Sequence, residues 1–284
     1  MFNKYNYEIC IDSNNYDDTL CLLTTMKILE MKKNNKFVIE GISKMEIIDT
    51  INYYYNRVNI LLEIVNYNFL NNDHYKKFLT IINLLKKNII YKYNKFSIYS
   101  CINIIIKSNS NIIDNNFLSV IHNNSTVMMN LSQSNILKIN DNFMRCSDIK
   151  EIILPKSILY ICDGFCSYSK NLRQINLSSC ANLLEIGDKF LASSNIKSLI
   201  LPPSLQKIGD YFLVSSKIEL LILPASLQII GDYFCNETKD LIEIDMGKCI
   251  NLLNVGLKCL FKSSVYNIIC PPSKKLLEKI KIMF

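Results

Sequence analysis

A regular alternation of apolar and polar positions runs through the carboxy-terminal half of the chain. Six short units of the form apolar-x-x-apolar-x-apolar begin at intervals of 22 to 24 residues. One such unit cannot bury its apolar side alone, so neighbouring units must stack. The pattern predicts six parallel strands in a solenoid. Their apolar residues are Ile149/Ile152/Leu154, Leu172/Ile175/Leu177, Ile196/Leu199/Leu201, Ile218/Leu221/Leu223, Leu241/Ile244/Met246 and Val265/Ile268/Cys270.

A second motif, Ile-Gly-Asp-x-Phe or a close variant, recurs between the predicted strands. Its aspartates are spaced by 22 or 25 residues. Because aspartate accepts hydrogen bonds from the free amides at a helix start, we predict that each one caps a short helical segment. The phenylalanines are predicted to stack as an internal aromatic column. The pairs are Asp141/Phe143, Asp163/Phe165, Asp188/Phe190, Asp210/Phe212 and Asp232/Phe234.

Prolines mark the ends of four predicted strands. Each follows the last inward residue, where the missing amide donor ends strand pairing. Two units lack this proline and run to a longer spacing, Ile175–Cys180 and Ile244–Cys249, and we expect their strands to bulge outward. The four prolines are Pro155, Pro202, Pro224 and Pro271.

These units resemble the BspA-like leucine-rich repeats, whose pattern is Leu-x-x-Ile-x-Leu-Pro-x-Ser-Leu-x-x-Ile-Gly-x-x-x-Phe. The stretches Ile196–Gly209 and Ile218–Gly231 follow it closely. The resemblance covers about residues 136–272, and Asp114 with Phe117 is interpreted as one more, degraded repeat. It implies a solenoid with an extended surface for binding. It also implies adhesion as one possible role, because the family includes cell-surface and adhesive members.

The outward positions of the predicted strands form a candidate partner surface. In each unit the third and fifth positions point away from the core. Several are apolar, so a hydrophobic stripe of the kind that marks a partner site is expected. Two alternatives remain: β-branched residues suit strands in general, or the amino-terminal domain covers the stripe. The candidate binding residues on this concave face are Ile153, Asn176, Ile200, Leu220, Ile222, Asp245 and Ile269.

The amino-terminal part, residues 1–110, contains no repeat and is predicted to be a separate, mainly helical domain. Ile42–Tyr55 and Lys76–Ile90 show helical spacing of apolar residues. Tyr5–Ile11 and Phe37–Ile39 are candidate strands. The predicted fold class of the whole chain is therefore α+β, with a helical domain before a parallel ladder.

This amino-terminal part also resembles the BTB/POZ and Skp-type cullin adaptor domains. Tyr7–Ile11 resembles their first strand, and Phe37–Lys44 with Ile47–Tyr54 resembles a strand and its following helix. Leu79–Leu85 and Cys101–Ile105 resemble later helices. The resemblance implies docking to a ubiquitin-ligase scaffold.

Composition, charge and motifs exclude several function classes. The net charge of +7 comes from scattered lysines rather than a basic patch, so no nucleic-acid partner is expected. No secretory signal or membrane-length apolar run is found, so we expect a cytoplasmic protein whose 11 cysteines are reduced. His74 and His122 have no cysteine near them in sequence, and Cys162 and Cys166 lack a second ligand pair. No metal, cofactor or catalytic dyad is therefore expected.

The sequence thus predicts three segments: a domain of residues 1–110, a solenoid of about six repeats over 111–272, and a capping helix over 273–284. The leading hypothesis is a non-enzymatic module whose repeats present a concave sheet to an unidentified protein partner. One alternative is a substrate adaptor that docks a cullin-type ubiquitin ligase through residues 1–110. The other is a cell-surface adhesion protein, which the lack of an export signal disfavours.

Overall fold

The structure is a computed structural model that describes residues 7–12, 36–39, 59–65, 76, 79, 101–118 and 126–270. The chain divides into two compact units. One comprises residues 1–110 and 123–134, and the other comprises residues 111–122 and 135–284.

The first unit is built on a parallel β-sheet with the strand order β2-β1-β3-β4-β6. In its register, Ile9 lies between Phe37 on one neighbouring strand and Leu62 on the other. Runs of isoleucine, leucine and valine suit such strands, because β-branched and apolar side chains pack well on a pleated surface. The strands are β1 (Tyr7–Asp12), β2 (Lys36–Ile39), β3 (Asn59–Val65), β4 (Cys101–Ile106) and, after β5 (Ile112–Ile113) of the second unit, β6 (Thr126–Asn130).

The strands of this unit correct part of the sequence-based prediction. β1 and β2 agree with the two candidate strands, whereas β3 was not anticipated. The prediction of a helix at Cys101–Ile105 is wrong, because these residues belong to β4. Four isoleucines in a run of six residues favour a strand, and a short apolar run has no clear helical period.

The structure describes only two residues of the predicted helices of the first unit. Lys76 and Leu79 are helical and lie within the predicted helix Lys76–Ile90. The rest of that segment, and all of Ile42–Tyr55, lie outside the described residues. The mainly helical domain and the α+β class therefore stay predictions.

The second unit is a parallel β-solenoid, and its first ladder consists of the six predicted strands. β10 pairs with β12, while β14, β16 and β18 pair in succession, all in parallel. β8 lies beside β10, and β12 lies beside β14. The prediction of six parallel strands is confirmed. They are β8 (Ile149–Ile153), β10 (Gln174–Asn176), β12 (Ser198–Ile200), β14 (Leu220–Ile222), β16 (Glu243–Asp245) and β18 (Asn267–Ile269).

A second ladder of seven two-residue strands forms another side of the solenoid, which gives about seven turns. Every strand pairs in parallel with the next strand of this ladder, so β5 pairs with β7, β7 with β9 and so on to β17. The second residue of each strand is buried, and it is the apolar residue of the Ile-Gly-Asp motif or its variant. The sequence analysis missed this ladder. Besides β5, its strands are β7 (Lys138–Ile139), β9 (Tyr160–Ile161), β11 (Glu185–Ile186), β13 (Lys207–Ile208), β15 (Ile229–Ile230) and β17 (Asn254–Val255).

The third side of each turn is a segment with alternate left-handed residues. In one turn Tyr211 and Leu213 have φ of 56° and 57°. The Tyr211 amide donates to the carbonyl of Asp232 in the next turn at 2.8 Å, and the Leu213 amide donates to Phe190 in the preceding turn at 3.0 Å. Since these amides bond to neighbouring turns, they cannot form helical bonds. The prediction of short capped helices here is wrong.

A column of stacked phenylalanines fills the interior, as predicted. Ring centroids of successive members lie 5.2 to 5.7 Å apart. Phe117 stacks on Phe143, so the degraded first repeat joins the same column. Stacked rings of this kind add to the stabilisation that burial provides. The column contains Phe117, Phe143, Phe165, Phe190, Phe212 and Phe234.

In the two repeats without proline, a side-chain hydrogen bond to the backbone forms the turn after the strand. Asn176 accepts a hydrogen bond at its Oδ1 from the amide of Ser178 at 2.9 Å, and Asp245 accepts one from Gly247 at 2.8 Å. Such side-chain bonds to the backbone two residues later mimic a turn. β10 and β16 pair residue for residue with their neighbours, so the prediction that these strands bulge outward is wrong.

Candidate partner-binding surface

The predicted binding residues lie on the outer face of the first ladder. The strand pleat explains this position, because the inward residue of each strand is buried and its neighbours must point outward. All are exposed except Asp245, which is half-buried. They are Ile153 on β8, Asn176 on β10, Ile200 on β12, Leu220 and Ile222 on β14, Asp245 on β16 and Ile269 on β18.

Three of these residues form a continuous apolar stripe: Ile200, Leu220 and Ile222. Their exposed fractions are 49%, 46% and 54%. β12 and β14 lie beside each other, and Leu220 and Ile222 are alternate residues of β14, so all three side chains face outward on two adjacent strands. An apolar group of this kind on a rigid strand surface suits contact with a protein partner.

Polar residues separate the other candidates from this stripe. Asn176 stands opposite Ile200, and Asp245 lies between Ile222 and Ile269 in the register. The Oδ1 atoms of Asn176 and Asp245 already accept hydrogen bonds from backbone amides of their own turns. These two side chains therefore have less hydrogen-bonding capacity left for a partner. The structure therefore brings Ile200, Leu220 and Ile222 together. Asn176 separates Ile153 from these three residues, and Asp245 separates Ile269 from them.

An acidic rim adjoins the stripe on the side of β16. Glu243 stands opposite Leu220, and Asp245 stands opposite Ile222. Glu219 forms an ion pair with Lys197 at 2.7 Å, with both side chains about half exposed. Exposed pairs of this kind contribute little to stability. The rim is instead positioned to attract basic groups of a partner.

The aspartates of the repeated motif form a column of backbone acceptors. Asp188 accepts at its Oδ1 from the amide of Asp210 in the next turn at 2.8 Å, and Asp210 accepts from Asp232 at 2.7 Å. The same bond joins Asp141 to the amide of Asp163 at 3.2 Å. The carboxylates therefore link turns and do not cap helices. This use could have been found from the constant spacing, which places the same side chain at the same corner of every turn.

The column begins with Asn115. Its Oδ1 accepts from the amide of Asp141 at 3.2 Å, and Asp114 instead accepts from the amide of Asn115 at 2.8 Å. The degraded repeat is therefore real, but Asn115 rather than Asp114 holds the position of the motif aspartate.

Asp188, near the centre of the column, has a pKa that its surroundings raise. Burial raises the pKa of Asp188, and the neighbouring carboxylates of Asp163 and Asp210 raise it further. The amide of Asp210 and the ammonium of Lys189 lower this pKa in part. The net effect favours the neutral carboxyl more than in a solvated aspartate.

A groove of about 560 Å³ runs beside the column along the second ladder. Its walls include Asp163, Asp188, Glu185 and Lys207. Lys207 pairs with Glu185 at 3.4 Å, and the two aspartates accept backbone amides. Among the described residues, no group of three or more histidine, cysteine or acidic side chains could hold a metal ion.

The buried cysteines of the solenoid are poor nucleophiles. Burial raises the pKa of Cys180 and of Cys249 to about 11, and that of Cys259 to about 12. Burial also raises the pKa of the partly exposed Cys162. These thiols are therefore protonated at neutral pH, and the thiolate is the reactive form.

In the part of the chain that the structure describes, no helix has the length and apolar character needed to span a bilayer.

One family model matches the repeat region of the chain. The model described as BspA type Leucine rich repeat region (6 copies) matches residues 62–189 and 137–266. It therefore begins well before residue 136, where the sequence analysis placed the resemblance. No curated protein and no solved structure matches the chain. The fold is that of a repeat module of the protein-interaction or adhesion type. From its repeats, its parallel ladders and this match, the chain belongs to the BspA type leucine-rich repeat family.

Proposed function

We propose that the chain is a non-enzymatic, cytoplasmic interaction module that binds a protein partner through the apolar stripe. The observation that carries the proposal is the exposure of Ile200, Leu220 and Ile222 side by side on two neighbouring strands. Each is the outward neighbour of a buried leucine, so the ladder itself fixes its direction. The stripe is thus a rigid surface that needs no rearrangement before binding.

Burial of the stripe supplies part of the driving force for binding. Covering the exposed part of its three side chains would contribute roughly 6 kcal/mol before the costs of association. Interfaces commonly rely on a few such central residues, surrounded by contacts that exclude water. The polar residues around the stripe are positioned to form these water-excluding contacts.

The acidic rim indicates the chemistry of the partner. Glu243 and Asp245 lie on one side of the stripe, while Ser198 and Asn176 contribute only neutral groups on the other. A complementary partner presents apolar side chains with lysine or arginine along one edge. Such complementarity governs orientation and association rate more than affinity.

Substitution of the stripe tests this function. The double variant Ile200→Asp with Ile222→Asp should lose the proteins that the wild-type chain captures from cell extract, as measured by quantitative mass spectrometry. The matched control is Tyr160→Asp with Ile229→Asp, which places the same charges at two exposed residues of the second ladder. Circular dichroism must show that both variants are folded. Capture that survives the first variant, or is lost equally in both, would refute the proposal.

The adaptor alternative requires a contact with a ubiquitin-ligase scaffold, and the adhesion alternative requires a location at the cell surface. An adaptor would also bind a cullin-type scaffold through residues 1–110. β1 agrees with the first strand of that resemblance, but β4 stands where it requires a helix. Cullin peptides among the proteins retained by the full chain would support the adaptor. Cell fractionation would distinguish a cytoplasmic protein from an adhesive surface protein.

A further inference from the structure

Charged residues of opposite sign flank the apolar stripe on its two sides along the solenoid. On the side of β10, Arg173 directly precedes the strand and is exposed. On the side of β16, Glu243 stands opposite Leu220, and Asp245 stands opposite Ile222. A partner that crosses the stripe from β10 to β16 therefore passes from a positive charge to two negative ones.

Arg173 carries the unpaired positive charge on the β10 side. Its carbonyl accepts the amide of Lys197 at 2.7 Å, so the two residues hold the same position in neighbouring turns. The ammonium of Lys197 is already paired with Glu219 at 2.7 Å, whereas Arg173 forms no ion pair with any described residue. Lys150 and Glu151 lie one strand further away, on β8, and their charges cancel. The guanidinium of Arg173 can therefore bind a carboxylate of another molecule through two hydrogen bonds.

The two carboxylates on the β16 side keep their negative charge. Glu243 accepts a hydrogen bond from the carboxamide of Asn267, and Asp245 accepts one from the amide of Gly247 at 2.8 Å. Both donors are neutral. Within the part of the chain that the structure describes, no lysine or arginine pairs with either carboxylate. A basic side chain of a partner would meet two acceptors here.

The strand spacing between the two sides suits a helix laid across the strands. From β10 through β12 and β14 to β16 there are three spacings of about 4.8 Å, or about 14 Å in all. An α-helix advances about 5.4 Å per turn and so places nearly one turn over each strand. A carboxylate at position i then lies over β10, apolar residues near i+4 and i+7 lie over β12 and β14, and a basic residue near i+11 lies over β16.

An extended segment fits this arrangement less well. It covers about 14 Å in roughly four residues, and only every second side chain faces the sheet. Between an acidic and a basic residue at its two ends, it therefore has one inward side chain for the two apolar strands β12 and β14.

We propose that the partner binds through an amphipathic α-helix that lies across the strands, with a carboxylate over Arg173 and a lysine or arginine over Glu243 and Asp245. This inference rests on the proposed function, because the apolar side chains between the two charged ends of the helix cover the stripe. A helix in the opposite direction would bring like charges together on both sides. The flanking charges therefore determine the orientation of the helix, while burial of the stripe provides affinity.

Selection from a displayed library of random peptides about 16 residues long, enough for four helical turns, tests this inference. The full chain selects the peptides, and those that also bind the Ile200→Asp, Ile222→Asp variant are removed. We expect the remaining peptides to carry an acidic and a basic residue about eleven positions apart, with apolar residues at helical spacing between them. Exchanging the acidic and the basic residue in such a peptide should weaken its binding about tenfold.

Reversal of the charge at Arg173 tests the positive side directly. Because this residue is exposed, Arg173→Glu should leave the fold intact. Selection with this variant should replace the acidic residue of the peptides by a basic one. Lys156→Glu is the matched control, because it makes the same change at an exposed residue after the proline that ends β8. Selection with the control should give the same peptides as the wild type.

Failure of this inference can be distinguished from failure of the proposed function. The helix is ruled out if no selected peptide depends on the stripe, or if Arg173→Glu leaves the charge preference unchanged. An acidic and a basic residue only about four positions apart would rule it out as well, because that spacing is expected of an extended chain. In each case the proposed function stands if the Ile200→Asp, Ile222→Asp variant loses the proteins captured from cell extract. Capture that survives that variant refutes the proposed function instead.

Discussion

The side chain of Asp188 accepts a hydrogen bond of 2.8 Å from the backbone amide of Asp210, one turn further along the solenoid. The bond requires an acceptor but no charge. Asn115 shows this at the start of the column, where its carboxamide oxygen accepts the amide of Asp141 at 3.2 Å. The acceptor therefore maintains the spacing of the turns, while the stacked charges oppose one another.

Neutralising Asp188 should separate these two effects. We expect Asp188→Asn to be as stable as the wild type or more stable, because the acceptor remains and the repulsion from Asp163 and Asp210 is removed. Asp188→Ala should lose about 1–2 kcal/mol, because the amide of Asp210 loses its partner. Chemical denaturation of both variants measures the difference. An asparagine variant as unstable as the alanine variant would show that the charge itself is required.

The same substitution has a predictable pH dependence. The pKa of Asp188 is raised in the folded state by burial and by its neighbouring carboxylates. A raised folded-state pKa gives stability that is present below the unfolded pKa, near 3.9, and is lost as pH rises through the folded value. The stability gained by Asp188→Asn should therefore be largest at neutral pH and shrink below about pH 4. Denaturation midpoints of wild type and variant across this range measure it, and a constant gain would contradict it.

The first ladder and the aromatic column could be predicted because each repeat supplies several apolar residues at fixed spacing. Ile152, Ile175 and Leu199 are buried at the expected positions, and each directs its neighbours outward. The second ladder could not be predicted in this way. A strand of two residues, such as Lys207–Ile208, is too short to show a period of two.

Other features depended on contacts that the sequence does not display. The left-handed residues around Leu213 are held by hydrogen bonds to both neighbouring turns, so local propensity for a helix was misleading. The outward direction of Asn176 and Asp245 was predictable from the alternation. Their bonds to their own turns were not, and these reduce what they can offer a partner.

The aromatic column should account for a large share of the stability of the solenoid. Phe190 is fully buried between Phe165 and Phe212, at 5.2 and 5.4 Å between ring centres. Phe190→Ala should cost roughly 3–5 kcal/mol, since it removes a buried ring and leaves a cavity. Tyr211→Ala is the control, because this residue stacks on Tyr233 at 4.7 Å but is 37% exposed, whereas Phe190 is fully buried. A loss as large in the control, measured by denaturation, would place the stabilisation in surface stacking instead.

Gly209 occupies a corner where adjacent turns approach too closely for a side chain. A Cβ there would lie 2.4 Å from the Oδ1 of Asp188 and 2.6 Å from the carbonyl carbon of Gly187. Gly209→Ala should therefore destabilise the solenoid by at least about 2 kcal/mol, because the turns must move apart. Gly247→Ala should cost less, since its closest contact is a methyl group of Ile269 at 2.9 Å, which can rotate away.

A double variant identifies which contact at Gly209 matters. Adding Asp188→Gly removes the carboxylate contact but leaves the backbone contact with Gly187. Because Asp188→Gly also removes the acceptor of the Asp210 amide, the reference is the Asp188→Gly single variant. If the backbone sets the limit, Gly209→Ala will cost as much in the Asp188→Gly background as in the wild type, as measured by thermal and chemical denaturation. If Gly209→Ala costs nothing in the Asp188→Gly background, the carboxylate alone excludes a side chain at this corner. The glycine would then be required by the acceptor column and not by the spacing of the turns.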